Sequence, residues 1–111
     1  MSDPSLPRAT REMAERRRSL APEAAETFQA FSKAVFADGA LDKRTKQLIA
    51  VAVAHVTQCP WCIDGHVKAA KREGASPEQI MEAIWVAAEM RAGASYAHSL
   101  KALQAMGETA G

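Results

Sequence analysis

Residues 42–66 read DKRTKQLIAVAVAHVTQCPWCIDGH, and this stretch decides the fold class. Asp42 is a residue type suited to an N-cap, because its short side chain can accept a hydrogen bond from the first helical turn. From Lys43 to about Val56 the pattern is helical, and its second half, Leu48 to Ala54, is apolar on every side. A helix of that kind must be covered all round, and 111 residues supply limited cover. The pattern therefore predicts burial against partner subunits; the alternative is a central core helix in a monomer. Pro60 fits the first turn of a following helix, where its missing N–H leaves nothing unsatisfied. That helix is expected to run to about Arg72, with Gly74 as its stop.

The flanks read the same way. Arg8 to Leu20 predicts a polar leading helix with Met13 and Leu20 as its large apolar residues. Pro22-Glu23 opens a second, striped by Ala25, Phe28, Phe31, Ala34 and Val35, and Asp38-Gly39 is expected to close it with a left-handed glycine. Ser76-Pro77-Glu78-Gln79 combines a cap, a proline at the first helical position and a glutamine reaching back. The fifth helix then carries Ile80, Ile84, Val86, Ala87 and Met90, and Gly93 separates it from a sixth, about Ser95 to Met106, with Leu100 and Leu103 inward. No run of alternating β-branched residues suggests a strand. The expectation is an all-α, compact bundle of about six helices, one domain over residues 1–111.

Composition narrows the function classes. Apolar residues at 48% argue against global disorder, and 14 basic against 13 acidic residues leave too little charge for a nucleic-acid footprint. The basic stretch Arg8, Arg11, Arg16, Arg17, Arg18 is interrupted by Glu12 and Glu15 and reads as a solvated helix face. The N-terminus lacks the apolar core of a signal peptide, and the stretch Leu48 to Val56 is far short of a membrane span. The prediction is a cytoplasmic protein without a membrane partner. In a reducing compartment a CxxC is redox-active or metal-binding rather than a structural staple.

Cys59-Pro60-Trp61-Cys62 holds both cysteines, and His66 follows one helical turn after the second. At about 100° per residue, positions 59, 62 and 66 lie within roughly 60° of one another on a helix. Cys59 falls near the N-cap and Cys62 in the first turn, where the positive helix end favours the thiolate. His66 is a helical neighbour of Cys62 and can take its proton. We assign Cys62 as the attacking sulfur and Cys59 as the resolving one, although helix position alone favours Cys59 equally. A peroxide would oxidise the thiolate to a sulfenic acid, the second thiol would condense with it, and a dithiol donor would restore the pair.

Three stretches now carry a resemblance: Leu41 to Ala54, Cys59 to His66, and Glu73-Gly74-Ala75-Ser76-Pro77-Glu78-Gln79-Ile80. Together they closely resemble the carboxymuconolactone decarboxylase / alkyl-hydroperoxidase D family over about positions 40–100. The resemblance implies an all-helical subunit assembling into homotrimers or homohexamers. It also implies thiol-dependent peroxidase or disulfide reductase activity; the dithiol reductant that such chemistry requires is expected to be a thioredoxin-like or lipoyl protein, and no cofactor is expected. Position by position, Cys59 and Cys62 match the redox pair and His66 the relay histidine. The family usually has a glutamate twelve residues before the first cysteine; here that position is Gln47, and the residue between the cysteines is Trp61. His55 is the candidate for the missing base, against the plainer reading of a satisfied histidine closing its helix.

Rival readings stay open on the same residues. His55, Cys59, Cys62 and His66 make a Cys2His2 inventory that zinc accepts, although structural zinc sites normally join distant segments. A lactone decarboxylase, or an oligomeric scaffold with inert cysteines, are the others. Among remaining residues, Glu89 is a possible relay group on the fifth helix, while Glu82 and Asp64 are expected to face solvent. Met81, Met90 and Met106 are expected in the core, Trp85 in the bundle or at a subunit contact, and His98 has no assigned role.

Overall fold

A computed structural model describes residues 6–108, so the first five residues of the segment read for a signal peptide lie outside the described residues. Every regular element among the described residues is an α-helix, as the patterning requires. Residues 1–40 and 41–111 form two compact units, each described by itself.

The first unit is a helical hairpin of α1 (Arg11–Leu20) and α2 (Pro22–Val35). α1 starts at Arg11 rather than Arg8, because Thr10 caps it: its hydroxyl oxygen accepts from the Met13 N–H at 3.2 Å. Pro22 occupies the first turn of α2, where its fixed φ is already helical. The expected glycine closure does not occur. α2 ends at Phe36, with φ −92° and ψ 4°, and Gly39 is not in the left-handed region. No residue of either helix is buried within the chain, and Phe28 and Phe31 touch each other with ring centroids 6.4 Å apart.

The second unit contains α3 (Lys43–Thr57), α4 (Pro60–Arg72) and α5 (Pro77–Ala105), with α3 packed against both of the others. Asp42 caps α3, its carboxylate accepting from the Thr45 N–H at 2.7 Å. That bond, then the one to the Thr45 hydroxyl, holds the Asp42 carboxyl below its ordinary 3.8. At the start of α5, Ser76 Oγ accepts from the Gln79 N–H at 3.1 Å while Gln79 Oε1 accepts from the Ser76 N–H at 2.9 Å, a reciprocal box. Gly74, at φ +90°, closes α4.

The core lies where the three helices meet: Val51, Ala70, Ala75 and Ile80, flanked by Leu48, Val67 and Ile84. Alanines on α4 and its following turn let the backbones approach closely enough for Val51 to be fully enclosed. α3 is thus neither solvated nor covered all round. Val51 and Ala54 face α4 and α5, while Ile49, Val53 and Val56 are about half exposed.

On α5 the sequence expectations fail in its segmentation and in several of its inward residues. Gly93 does not separate a fifth helix from a sixth, so the described residues hold five helices. A mid-helix glycine costs about 1 kcal/mol relative to alanine, but Gly93 stands among Ala92, Ala94 and Ala97 with no proline to stop the helix, and Ser95 lies inside α5 rather than capping a new one. Consequently Leu100, 70% exposed, and Leu103 are not inward within this chain. Met81, Met90 and Met106 are exposed rather than core-forming, and Trp85 is exposed too, which removes a place in this chain's bundle but not the alternative of a subunit contact.

Candidate redox site

The site is built by the turn between α3 and α4. Gln58 adopts the left-handed conformation, φ 57° and ψ 47°, and ends α3. The Cys59 N–H then donates back to the Ala54 carbonyl at 3.1 Å. This is the closure normally given to glycine, because a Cβ is disfavoured in the left-handed region. With no Gly or Asn at position 58, the sequence carries no signal for it, yet this residue turns the chain so that Cys59 begins the next helix.

Cys59 is the N-cap of α4, and its sulfur accepts a hydrogen bond from the Cys62 N–H at 3.3 Å. Pro60 takes the first helical position, as the sequence predicts. Cys59 and Cys62 are joined as a disulfide, with Cα atoms 5.2 Å apart. Both cysteines are half-buried, and Trp61 between them is 46% exposed. The pair therefore sits at the positive end of a 13-residue helix, where a backbone N–H already points at sulfur. Either sulfur released by reduction would be favoured as thiolate by that end.

His66 lies on the same helix, two turns into α4, and is half-buried. Its Nδ1 donates to Gln47 Oε1 on α3 at 2.7 Å, across 19 residues of sequence. The position read as a departure thus supplies a hydrogen-bond partner to the histidine. Leu48 and Val51 on α3 and Val67 and Ala70 on α4, one and four positions after Gln47 and His66, all belong to the same apolar cluster.

The other candidates lie differently. His55 is half-buried and its Nδ1 donates to the Val51 carbonyl of its own helix at 2.7 Å, the partner an imidazole there needs. No hydrogen bond joins it to either cysteine. Glu89 is exposed on α5 and makes no hydrogen bond or ion pair with another described residue. Glu82 is exposed as well. Asp64 points outward and pairs with Lys68 at 3.0 Å, with both side chains about two-thirds exposed. His98 donates from Nδ1 to the Ala94 carbonyl of its own helix. The Cys2His2 set is not gathered around a common point: among the described residues no group of three or more His, Cys, Asp or Glu side chains could hold a metal ion. The described helices include none long and apolar enough to cross a membrane.

The family model for the carboxymuconolactone decarboxylase family matches residues 22–105. The chain belongs to that family. This carboxymuconolactone decarboxylase family protein is 68% identical, over its whole length and 99% of the other, to a Paracoccus denitrificans protein named "uncharacterized protein 4 in cox locus". A Haemophilus influenzae protein is 39% identical over 76% of this chain and 74% of its own. Among solved structures, a Legionella pneumophila family member in its apo form superposes with a TM-score of 0.69 at 36% identity, covering 85% of this chain and 84% of that one. A Thermotoga maritima family member, for which involvement in an antioxidative response has been suggested, gives 0.55 at 28% identity, covering 73% and 93%. The family match spans α3 and α4, whose junction builds the site.

Proposed function

We propose that the protein is a thiol-dependent oxidoreductase that reduces hydroperoxides by cycling Cys59 and Cys62 between dithiol and disulfide. The observation that carries this reading is the Cys59–Cys62 disulfide at the N-terminus of α4, with a histidine on the same helix held by a partner from α3. In the reduced state the Cys62 thiol gives its proton to His66. The thiolate attacks the distal peroxide oxygen, the O–O bond breaks, and Cys62 becomes a sulfenic acid as the imidazolium protonates the departing alkoxide to an alcohol. Cys59 then attacks the sulfenic sulfur; the disulfide forms and water leaves, taking up the Cys59 proton. Two thiols and a hydroperoxide thus become a disulfide, an alcohol and water. A dithiol donor of the thioredoxin-like or lipoyl class returns two electrons and two protons by exchange.

Cys62 attacks because it is the helical neighbour of His66, and Cys59, bonded to the Cys62 N–H, resolves. His55 and Glu89 are the further candidates for proton exchange, His55 through Nε2 because Nδ1 is engaged. The protein acts in the cytoplasm as a homotrimer or homohexamer. The half-exposed Ile49, Val53 and Val56 support assembly, because an apolar helix face of this kind calls for cover.

The test is peroxide consumption by wild type, Cys59→Ser and Cys62→Ser with a dithiol donor. Cys62→Ser is expected to lose consumption. Cys59→Ser is expected to react once and leave a sulfenic acid that dimedone traps on Cys62. Undiminished consumption by Cys62→Ser would overturn the assignment, and a wild type that never consumes peroxide with any dithiol would overturn the activity.

A further inference from the structure

We infer that Gln47 is a positioning residue that locks His66 in one tautomer and confines its proton chemistry to Nε2. This rests on the redox reading of the site for its purpose, but its first test does not depend on that reading. The two residues stand on different helices, 19 positions apart, and are both half-buried, so their contact is a property of the packed unit rather than of local chain geometry. The atom facing Nδ1 at 2.7 Å is the amide oxygen, which has lone pairs and no hydrogen. Nδ1 must therefore carry the proton. In the neutral ring the lone pair then belongs to Nε2.

A glutamate at the same position would also accept from Nδ1. It differs in that a carboxylate can take the proton away, which extends a relay beyond the imidazole. The Gln47 amide is not ionised in water near neutral pH and accepts no transferred proton there. The relay ends at the imidazole: the proton taken from Cys62 enters at Nε2 and must leave from Nε2. Each cycle hence returns that proton to the departing oxygen rather than passing it to a second protein group through Nδ1. Orientation is conserved while transfer is removed.

Packing makes the lock firm. One turn beyond Gln47 on α3, Val51 is fully buried, and one turn beyond His66 on α4, Ala70 is too; both belong to one cluster. A slip of α3 along α4 large enough to part Gln47 from His66 would expose that cluster. The opposite amide orientation would present an NH2 group to Nδ1 and force the other tautomer, so the two arrangements differ in an observable.

The experiment is long-range 1H–15N correlation of the His66 ring in the oxidised, full-length protein at alkaline pH, on wild type, Gln47→Glu and Gln47→Leu. Wild type and Gln47→Glu are expected to show the proton on Nδ1, and Gln47→Leu to lose that preference. A wild-type ring protonated on Nε2 would overturn the inference, whatever the activity. So would a folded Gln47→Leu that keeps the wild-type pattern. With peroxide and a dithiol, Gln47→Leu is expected to lose about tenfold in kcat, the worth of about 1.4 kcal/mol, with restoration by Gln47→Glu. If wild type shows the Nδ1 tautomer and consumes no peroxide, the redox reading fails and the positioning role stands.

Discussion

Cys59 is expected to act twice, as a redox sulfur and as the cap of α4, and the two roles can be separated by substitution. Its sulfur accepts the Cys62 N–H at 3.3 Å, satisfying one of the donors that a helix start leaves open. Serine keeps an acceptor there and is a better cap than sulfur; alanine offers none. Loss of a side-chain N-cap costs about 1 kcal/mol, which is about a fivefold change in the folding equilibrium. For a unit the size of residues 41–111, that is a fall in Tm of about 4–8 °C. The comparison is Cys59→Ser against Cys59→Ala, by urea and thermal unfolding followed by far-UV circular dichroism. Neither variant can close the internal disulfide, so the gap between them must be the same with and without oxidant, whereas wild type must differ between the two conditions. Equal stability of the serine and alanine variants would refute the capping role. A gap that appears only under oxidant would refute the reasoning altogether, since it would tie the difference to chemistry on Cys62 rather than to the cap.

Val51→Ala removes carbon worth about 1.6 kcal/mol in transfer alone and leaves a cavity, so a loss of about 2–3 kcal/mol is expected in urea unfolding. A loss below about 0.5 kcal/mol, within the range of surface substitutions, would show that the cluster does not organise this unit. Asp42 is held below its ordinary 3.8 when folded, so its stabilising contribution is complete above that pH and fades as pH falls through the lower folded value. Asp42→Asn should therefore differ from wild type by a constant amount above pH 3.8, and by a shrinking amount in more acid solution; a constant difference throughout would contradict the cap. His55→Ala tests the second histidine by peroxide reduction: unchanged activity at all pH values would remove it from the proton chemistry and leave it with its Val51 hydrogen bond.

Helix starts were the most legible feature of this chain because they are written in a few adjacent residues. Asp42, Pro60 and the Ser76–Gln79 box all stand where their chemistry places them. Helix ends were less so. Gly74 closes α4 as expected, but Gly39 and Gly93 do not act as stops. A glycine permits a left-handed residue without requiring one, and only the onward path of the chain decides. Gln58 makes the same point in reverse, adopting that conformation with no sequence mark. Apolar periodicity named the helices but not which of their faces this chain would cover. Leu100, Met90 and Trp85 are as apolar as Ile80, and their exposure follows from where α3 crosses α5, a fact of packing rather than of pattern.

Gln47 shows why a site can be legible in its members and illegible in its wiring. Sequence spacing along α4 placed both thiols and the imidazole on one helix, because all three share one local period. It could not say what faces the other nitrogen of the imidazole, since that partner arrives from α3 through tertiary packing. Read alone, an amide in place of a carboxylate is a missing base. Beside His66, the same amide is an acceptor with its oxygen toward Nδ1, retaining half of a carboxylate's function and discarding the other half. Two distinct tasks, aiming a ring and moving a proton, are thereby separated in one side chain, and only the first requires what Gln47 has. The proposed cycle at the start of α4 asks for a base of fixed aim beside Cys62. It does not follow that it needs a second base behind the first.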